Sequence, residues 1–134
     1  MENKIKQLRK GILELAVLGA LEDSKHYGYS LVKTITRGRQ VPINEGTIYP
    51  ILSRLAKEEL VHTEWVESNQ GPPRKYYSIS LKGKKAYDVL SEEFDKLIEL
   101  VKNVKFEKKE NNKNKTKSKK TLDVKKEKKN EQEQ

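Results

Sequence analysis

The chain has 134 residues and no cysteine, which excludes disulfides, thiolate metal sites and a cysteine nucleophile. Its 29 Lys and Arg against 20 Asp and Glu leave a net charge of +9 and a pI near 9.6, and two histidines, His26 and His62, are too few for a histidine-built metal centre. The charge is uneven: residues 1–106 hold 18 basic, 14 acidic and 43 apolar side chains, whereas 107–134 hold 11 basic and 6 acidic, with only Leu122 and Val124 apolar. One core is therefore expected in the first part, followed by a lysine-rich tail that cannot form one.

The longest apolar run, Ile12 to Leu21, is interrupted by Glu14 and is too short to span a bilayer. The basic start before it imitates a signal peptide, but the acid inside the run and the lack of an A-x-A site argue for an amphipathic helix. A cytoplasmic protein with no membrane partner is expected.

Ile5, Leu8, Ile12, Leu15 and Gly19 recur at spacings of three and four, and Leu13, Val17 and Leu21 widen the stripe. This predicts a first helix ending near Glu22-Asp23-Ser24. Tyr27-Gly28-Tyr29 opens a second, with Leu31, Val32 and Ile35 inward and Gly38 as its stop. Asn44 is the N-cap expected of a third helix, whose buried stripe is Ile48, Ile51, Leu52 and Leu55. Pro50 falls inside that helix, where it removes a backbone bond or kinks the chain; the violation hints at a gain on the exposed side.

Residues 61–66 and 75–80, rich in Val, Trp, Tyr and Ile, read as two strands of a hairpin. The polar segment between them holds Gly71, Pro72 and Pro73. Ser80 is the expected N-cap of a fourth helix. Its apolar residues Tyr87, Leu90, Phe94, Leu97, Val101 and Val104 follow a heptad-like seam, with Ala86, Val89 and Ile98 on a second edge. One use of that seam is packing on the first helix of the same chain. The other, favoured because both faces are more apolar than one chain covers, is a homodimer seam formed with Leu8, Ile12 and Leu15. The domains expected are thus 1–79, the three helices and the hairpin; 80–106, a C-terminal dimerisation helix; and 107–134, a disordered lysine-rich tail.

Three helices followed by a hairpin is the order of a winged helix-turn-helix, a mainly α fold with a small β-hairpin. With its apolar stripe inward, the third helix exposes Gly46, Pro50, Ser53 and Lys57, flanked by Thr47, Tyr49 and Arg54, with no acid among them. Gly46 permits close approach, Thr47 and Ser53 can bond phosphates or base edges, Tyr49 can meet a phosphate or a thymine methyl, and Arg54 and Lys57 supply charge. In the wing, Gln70, Gly71, Arg74 and Lys75 add a second basic point. An ordinary solvated face explains the helix alone; helix and wing together favour double-stranded DNA. Glu58-Glu59 and Glu92-Glu93 are adjacent on helices and diverge, His26 reads as a surface or capping residue, His62 as a strand residue and Trp65 as hairpin packing. No nucleophile elbow or phosphate loop is present, so no enzyme, metal or cofactor is expected.

Four blocks, L-x-L-A-V-L-G-A-L at 13–21, Y-G-Y at 27–29, E-G-T-I-Y-P-I-L-S-R-L at 45–55 and G-P-P-R-K-Y-Y-S-I-S at 71–80, resemble the PadR family of bacterial transcriptional regulators. The resemblance covers about residues 5–105, and the short last helix is similar to that of the small subfamily with a single dimerisation helix. It implies a winged-helix homodimer that represses its genes, with Tyr49, Pro50, Gly71, Arg74 and Lys75 in the DNA-binding apparatus. It also implies a small aromatic effector at the dimer interface, held in some members between tryptophans of the last helix. No tryptophan stands there in this chain; Phe94 is the nearest aromatic, with Tyr87 one heptad earlier, and Leu8, Ile12 and Phe94 would line the site.

The resulting expectation is a sequence-specific, homodimeric repressor that binds an inverted repeat and is released by a small molecule. Two other readings stand beside it: a winged-helix protein-interaction module, and a non-specific nucleic-acid binder that uses the basic tail.

Overall fold

The computed structural model describes the backbone of residues 1–132 and the side chains of residues 1–121. Its elements are α1 (Glu2–Asp23), β1 (His26–Tyr27), α2 (Gly28–Thr36), α3 (Glu45–Lys57), β2 (Val61–Ser68), β3 (Gly71–Ile79) and α4 (Leu81–Gln132). Contacts divide the chain into Met1–Glu92 and Glu93–Gln134, so the first turns of α4 belong with the winged helix rather than starting a new domain at residue 80.

In the first unit the helices converge on one core. Leu13, Val17, Leu18 and Leu21 of α1, Leu31 of α2, the whole expected stripe of α3 (Ile48, Ile51, Leu52, Leu55), Val61 and Tyr77 are buried. The two stripes read on α1 separate here. The 13/17/18/21 line enters the core, whereas Ile5, Leu8 and Ile12 remain exposed and Leu15 is half-buried. Tyr87, expected on a dimer seam, instead packs against the core of its own chain.

The Asn44 side chain accepts the Thr47 N–H at 3.1 Å and starts α3 as expected. At the other end the Glu59 N–H reaches the Ala56 carbonyl and the Leu60 N–H the Leu55 carbonyl, with Glu59 at φ 61°. This is a Schellman turn with glutamate where glycine is usual. Gly38, at φ 65°, ends α2 as read.

The sheet differs from the expected hairpin in two ways. It has three antiparallel strands in the order β1-β3-β2, because His26 and Tyr27 pair with Tyr77 and Tyr76; a two-residue strand leaves no periodicity to read. The hairpin strands also run further, to a turn at Asn69-Gln70. Val66 faces Arg74 and Ser68 faces Gly71 across a register shift. Pro72 and Pro73 fall between those pairs, beyond the reach of β1, where their missing N–H groups break no regular ladder.

The disordered tail expected from residue 107 is not what the structure contains: α4 continues as helix through Gln132, and residues 133–134 lie outside the described residues. The expectation fails because a missing core does not forbid a helix, whose backbone bonds are internal to the segment. No glycine or proline follows Gly83, and Lys, Glu and Gln are good helix formers.

One junction ties these elements together. The Ser80 hydroxyl accepts the Gly83 N–H at 2.9 Å, capping α4 as expected, and donates to the Glu59 carbonyl at 2.7 Å. The Ser80 N–H donates to the Leu60 carbonyl at 3.0 Å. Gly83 is buried so closely that a Cβ there would overlap the Leu60 carbonyl oxygen. Gly83→Ala is therefore expected to destabilise the protein by about 1–3 kcal/mol. Gly11→Ala, on an open helix face with nothing near its Cβ, is expected to stabilise it by about 0.5–1 kcal/mol. Urea midpoints of the two variants check both; equal midpoints would remove the junction from the account.

His26 joins β1 to α2. The Ser30 hydroxyl donates to the Tyr27 carbonyl, so His26 Nδ1 donates to Ser30 at 3.1 Å, and Nε2 lies 3.1 Å from the Ser24 hydroxyl. Burial lowers the His26 pKa below 6.5, so the imidazole is neutral at neutral pH. A depressed histidine pKa means the unfolded chain takes the proton more readily, so this contribution is present above pH 6.5 and is lost as pH falls through the folded value. Between neutral and mildly acidic pH the wild type is expected to lose more stability than His26→Gln. Parallel urea curves at the two pH values test this, and an equal loss in both proteins would refute it.

Candidate nucleic-acid interface

The buried stripe of α3 fixes which residues face out. Gly46, Thr47, Tyr49, Pro50, Ser53 and Lys57 are all exposed, as their placement opposite Ile48 and Leu52 requires. Arg54 is different. Its Nε and a terminal guanidinium nitrogen both lie 2.7 Å from Glu14 Oε1 on α1. It therefore enters the site as half of an ion pair, not as the free cation expected. The pair spans 40 residues and carries no local sequence signal.

Pro50 removes the N–H that would meet the Gly46 carbonyl. Both residues lie on the exposed face, so the violation falls on the open side of the helix and not in the core.

Gln70, Gly71, Arg74 and Lys75 are exposed along the hairpin. The Arg74 guanidinium stacks 4.5 Å from the centroid of the Tyr27 ring, which itself meets Tyr76 edge-on at 5.3 Å. Lys75 lies 5.9 Å from the Trp65 ring and 5.7 Å from that of Tyr77. Such contacts orient a cation without neutralising it. Trp65, read as hairpin packing, is 67% exposed and lies against Lys75, its cross-strand partner.

Helix and wing meet in a cleft of about 310 Å³ whose walls include Tyr49, Trp65, Pro73, Arg74, Lys75 and Gly28. Gly28 sets its floor. A Cβ there would collide with the Tyr49 hydroxyl and ring, so the glycine of Y-G-Y is where the ring of α3 rests on α2. Burial and the neighbouring Tyr49 push the Tyr77 phenol up, so it stays protonated and uncharged.

A second cleft, of about 480 Å³, borders the other side of the α3 face. Thr47, Pro50 and Arg54 line it together with Lys6, Arg9 and Lys10 of α1. These three cations were not singled out in the sequence, because on α1 the apolar stripe dominates the pattern. Among the described residues, the ion pairs are Arg54–Glu14 and the exposed Lys25–Glu64 at 3.9 Å; Lys57, Arg74 and Lys75 are not tied to a carboxylate. No cluster of His, Asp and Glu suited to a metal occurs among them, and none of the helices searched is long and apolar enough to cross a membrane.

A capped helix with an exposed acid-free face, a hairpin of aromatic-backed cations beside it and a long C-terminal helix define a winged helix-turn-helix protein with an appended helix. Residues 17–89, more than half of the chain, match the transcriptional regulator PadR-like family, and the chain belongs to that family, whose members are transcriptional regulators and not enzymes. A PadR-like transcription factor from Bacteroides fragilis is 36% identical, with a TM-score of 0.65 over 76% of this chain and 98% of that one. A PadR-like transcriptional regulator from Bacillus cereus is 33% identical, with a TM-score of 0.64 over 73% of this chain and 95% of that one. Bacillus subtilis PadR, solved in complex with operator DNA, shares the fold at 23% identity, with a TM-score of 0.53 over 57% of this chain and 45% of that one.

Gly28→Ala is expected to displace the Tyr49 ring while changing stability by no more than about 1 kcal/mol, since Tyr49 is already 44% exposed and can swing outward. Tyrosine ring NMR shifts and a urea midpoint read both quantities. An unmoved ring would show that the contact does not position Tyr49.

Proposed function

We propose that the protein is a sequence-specific, homodimeric repressor that works in the cytoplasm, binds an inverted-repeat operator and is released by a small molecule. The observation that carries the reading is the cleft in which Tyr49 of α3 meets Arg74 and Lys75 of the wing. A helix face and a wing tip of one charge sign, side by side, match a major groove and its flanking backbone. Thr47, Tyr49 and Ser53 reach base edges in this reading, with Gly46 and Pro50 allowing close approach. Lys57, Gln70, Gly71, Arg74 and Lys75 hold the backbone. Operator binding by the Bacillus subtilis fold relative supports duplex DNA as the ligand. Arg54, being paired to Glu14, contributes less charge than a free arginine.

The homodimer rests on apolar surface that each unit leaves open. On α1, Leu8 is 71% exposed and Ile12 40%; on α4, Leu90, Leu97, Val101 and Val104 are all exposed. Surface of this kind in a small protein marks a partner site, and a second copy of the chain presents the same helices. Leu15 and Phe94, half-buried, belong to the edges of those surfaces. A small aromatic effector would find its apolar contacts on the same surface of α1, at Leu8 and Ile12.

The test is a selection from fragmented genomic DNA at physiological salt with wild-type protein and Arg74→Ala. The wild type is expected to enrich one inverted repeat. Arg74→Ala is expected to bind that repeat and unrelated duplexes more weakly, with the slope of log K against log salt reduced by about 1. Failure to enrich any sequence would favour a protein-interaction module. Unchanged affinity of Arg74→Ala at every salt would remove the wing from the mechanism.

A further inference from the structure

Beyond Phe106, α4 carries charge that reading a half-site does not use. Seven lysines fall in residues 108–120, and no acid occurs between Glu110 and Asp123. Because this stretch is helix, the lysines have fixed bearings. At about 100° per residue, Lys109, Lys113, Lys117 and Lys120 form one line and Lys108, Lys115 and Lys119 a second. Asn112 and Thr116 lie between the two lines, so the whole basic sector covers roughly 200° of the helix. Glu107, Glu110, Asn114 and Ser118 occupy the remaining sector. All of these side chains are exposed. The Thr116 and Thr121 hydroxyls donate back to the Asn112 and Lys117 carbonyls at 2.9 Å, so they stay close to the helix and leave the lysines as its outermost groups.

We propose that this sector of α4 is a second, sequence-independent binding surface whose partner is the phosphate backbone of duplex DNA. The charge is one-sided, as tracking a row of phosphates requires. The opposite sector, Glu107, Glu110, Asn114 and Ser118, contains no apolar side chain, whereas a helix that lies in a membrane interface needs an apolar face opposite its charged one. The inference goes beyond operator recognition by the winged helix and is tested separately from it.

The experiment uses the full chain and a random-sequence duplex, with affinity measured by anisotropy across a salt series. Lys113→Gln with Lys117→Gln removes two charges from the basic sector and keeps helix propensity. Asn114→Glu with Ser118→Glu lowers the net charge equally on the opposite sector. The first pair is expected to reduce the slope of log K against log salt by about 1.8, at about 0.9 per phosphate contact. The second pair is expected to change it by much less. Equal reductions would overturn the proposal in favour of diffuse net charge, and no reduction in either would remove the helix from DNA binding. Lysine-dependent binding to phosphatidylserine vesicles with an unchanged duplex slope would make a membrane surface the partner instead. The readout needs no operator, so enrichment of an inverted repeat can fail while this proposal stands, and the reverse.

Discussion

The winged helix depends on what happens around Ser80. One hydroxyl closes the first turn of α4 and reaches the exit of α3, while the Ser80 N–H holds the base of the hairpin at Leu60. Gly83 makes this possible by letting the helix backbone come against the Leu60 carbonyl. Three elements that would otherwise be joined only by short connections thereby share one set of backbone bonds. The position of the wing relative to α3 is set there, and with it the cleft between Tyr49 and Arg74. The αL residue Glu59 belongs to the same junction. The chain tolerates a non-glycine at positive φ, at a cost of about 1–2 kcal/mol, because the Schellman bonds and the Ser80 hydroxyl both draw on that turn.

The electrostatics of the interface follow a division of labour. Arg54, nearest the protein body, is neutralised by Glu14 and acts as a strut between α3 and α1. The two wing cations are backed by aromatic faces instead: Arg74 by Tyr27, and Lys75 by Trp65 and Tyr77. Aromatic backing restricts a cation's rotamers while leaving its full charge to a ligand. A carboxylate would hold it as firmly and cancel the charge. The tyrosines of 27–29 and 76–77, read from sequence as strand and helix formers, supply this support.

Much of the fold was legible because it rests on local patterns. The α3 stripe, the Asn44 cap, the Ser80 cap and the Gly38 stop each depend on residues within one or two turns, and each stands as read. What escaped depends on distance in sequence or on space. The Arg54–Glu14 pair joins residues far apart, so Arg54 looked free. Gly28 and Gly83 carry no pattern of their own; their meaning lies in the Tyr49 ring and the Leu60 carbonyl that come against them. Tyr87 fits a heptad seam by spacing, yet the first unit claims it for its own core. The lysine-rich end has the low complexity of a disordered segment, yet it holds no glycine or proline and continues α4 as helix. Of the candidate site, the exposed residues of α3 and the wing follow from local pattern, whereas the α1 cations Lys6, Arg9 and Lys10 that border Thr47 and Pro50 do not.

The packing also constrains how DNA binding by such a chain can be controlled. A ligand shifts an equilibrium only by its differential affinity for the two states, and couplings between sites are typically about 1–3 kcal/mol. Turning α3 within its own unit would uncover Ile48 and Leu52, both wholly buried, and disturb Leu55. Emptying the space of even one such side chain costs about 2–5 kcal/mol, before the Ser80 junction or the Arg54–Glu14 pair is broken. Reshaping the reading face therefore costs more than an ordinary effector supplies. In the homodimer proposed above, changing how the two copies are spaced would disturb only the exposed apolar surfaces of α1 and α4. Were the operator an inverted repeat as proposed, half-sites one helical turn apart, about 34–36 Å, would make affinity steeply dependent on that spacing. Control through the relation between copies, with each winged helix moving as a unit, is the route the energetics favour.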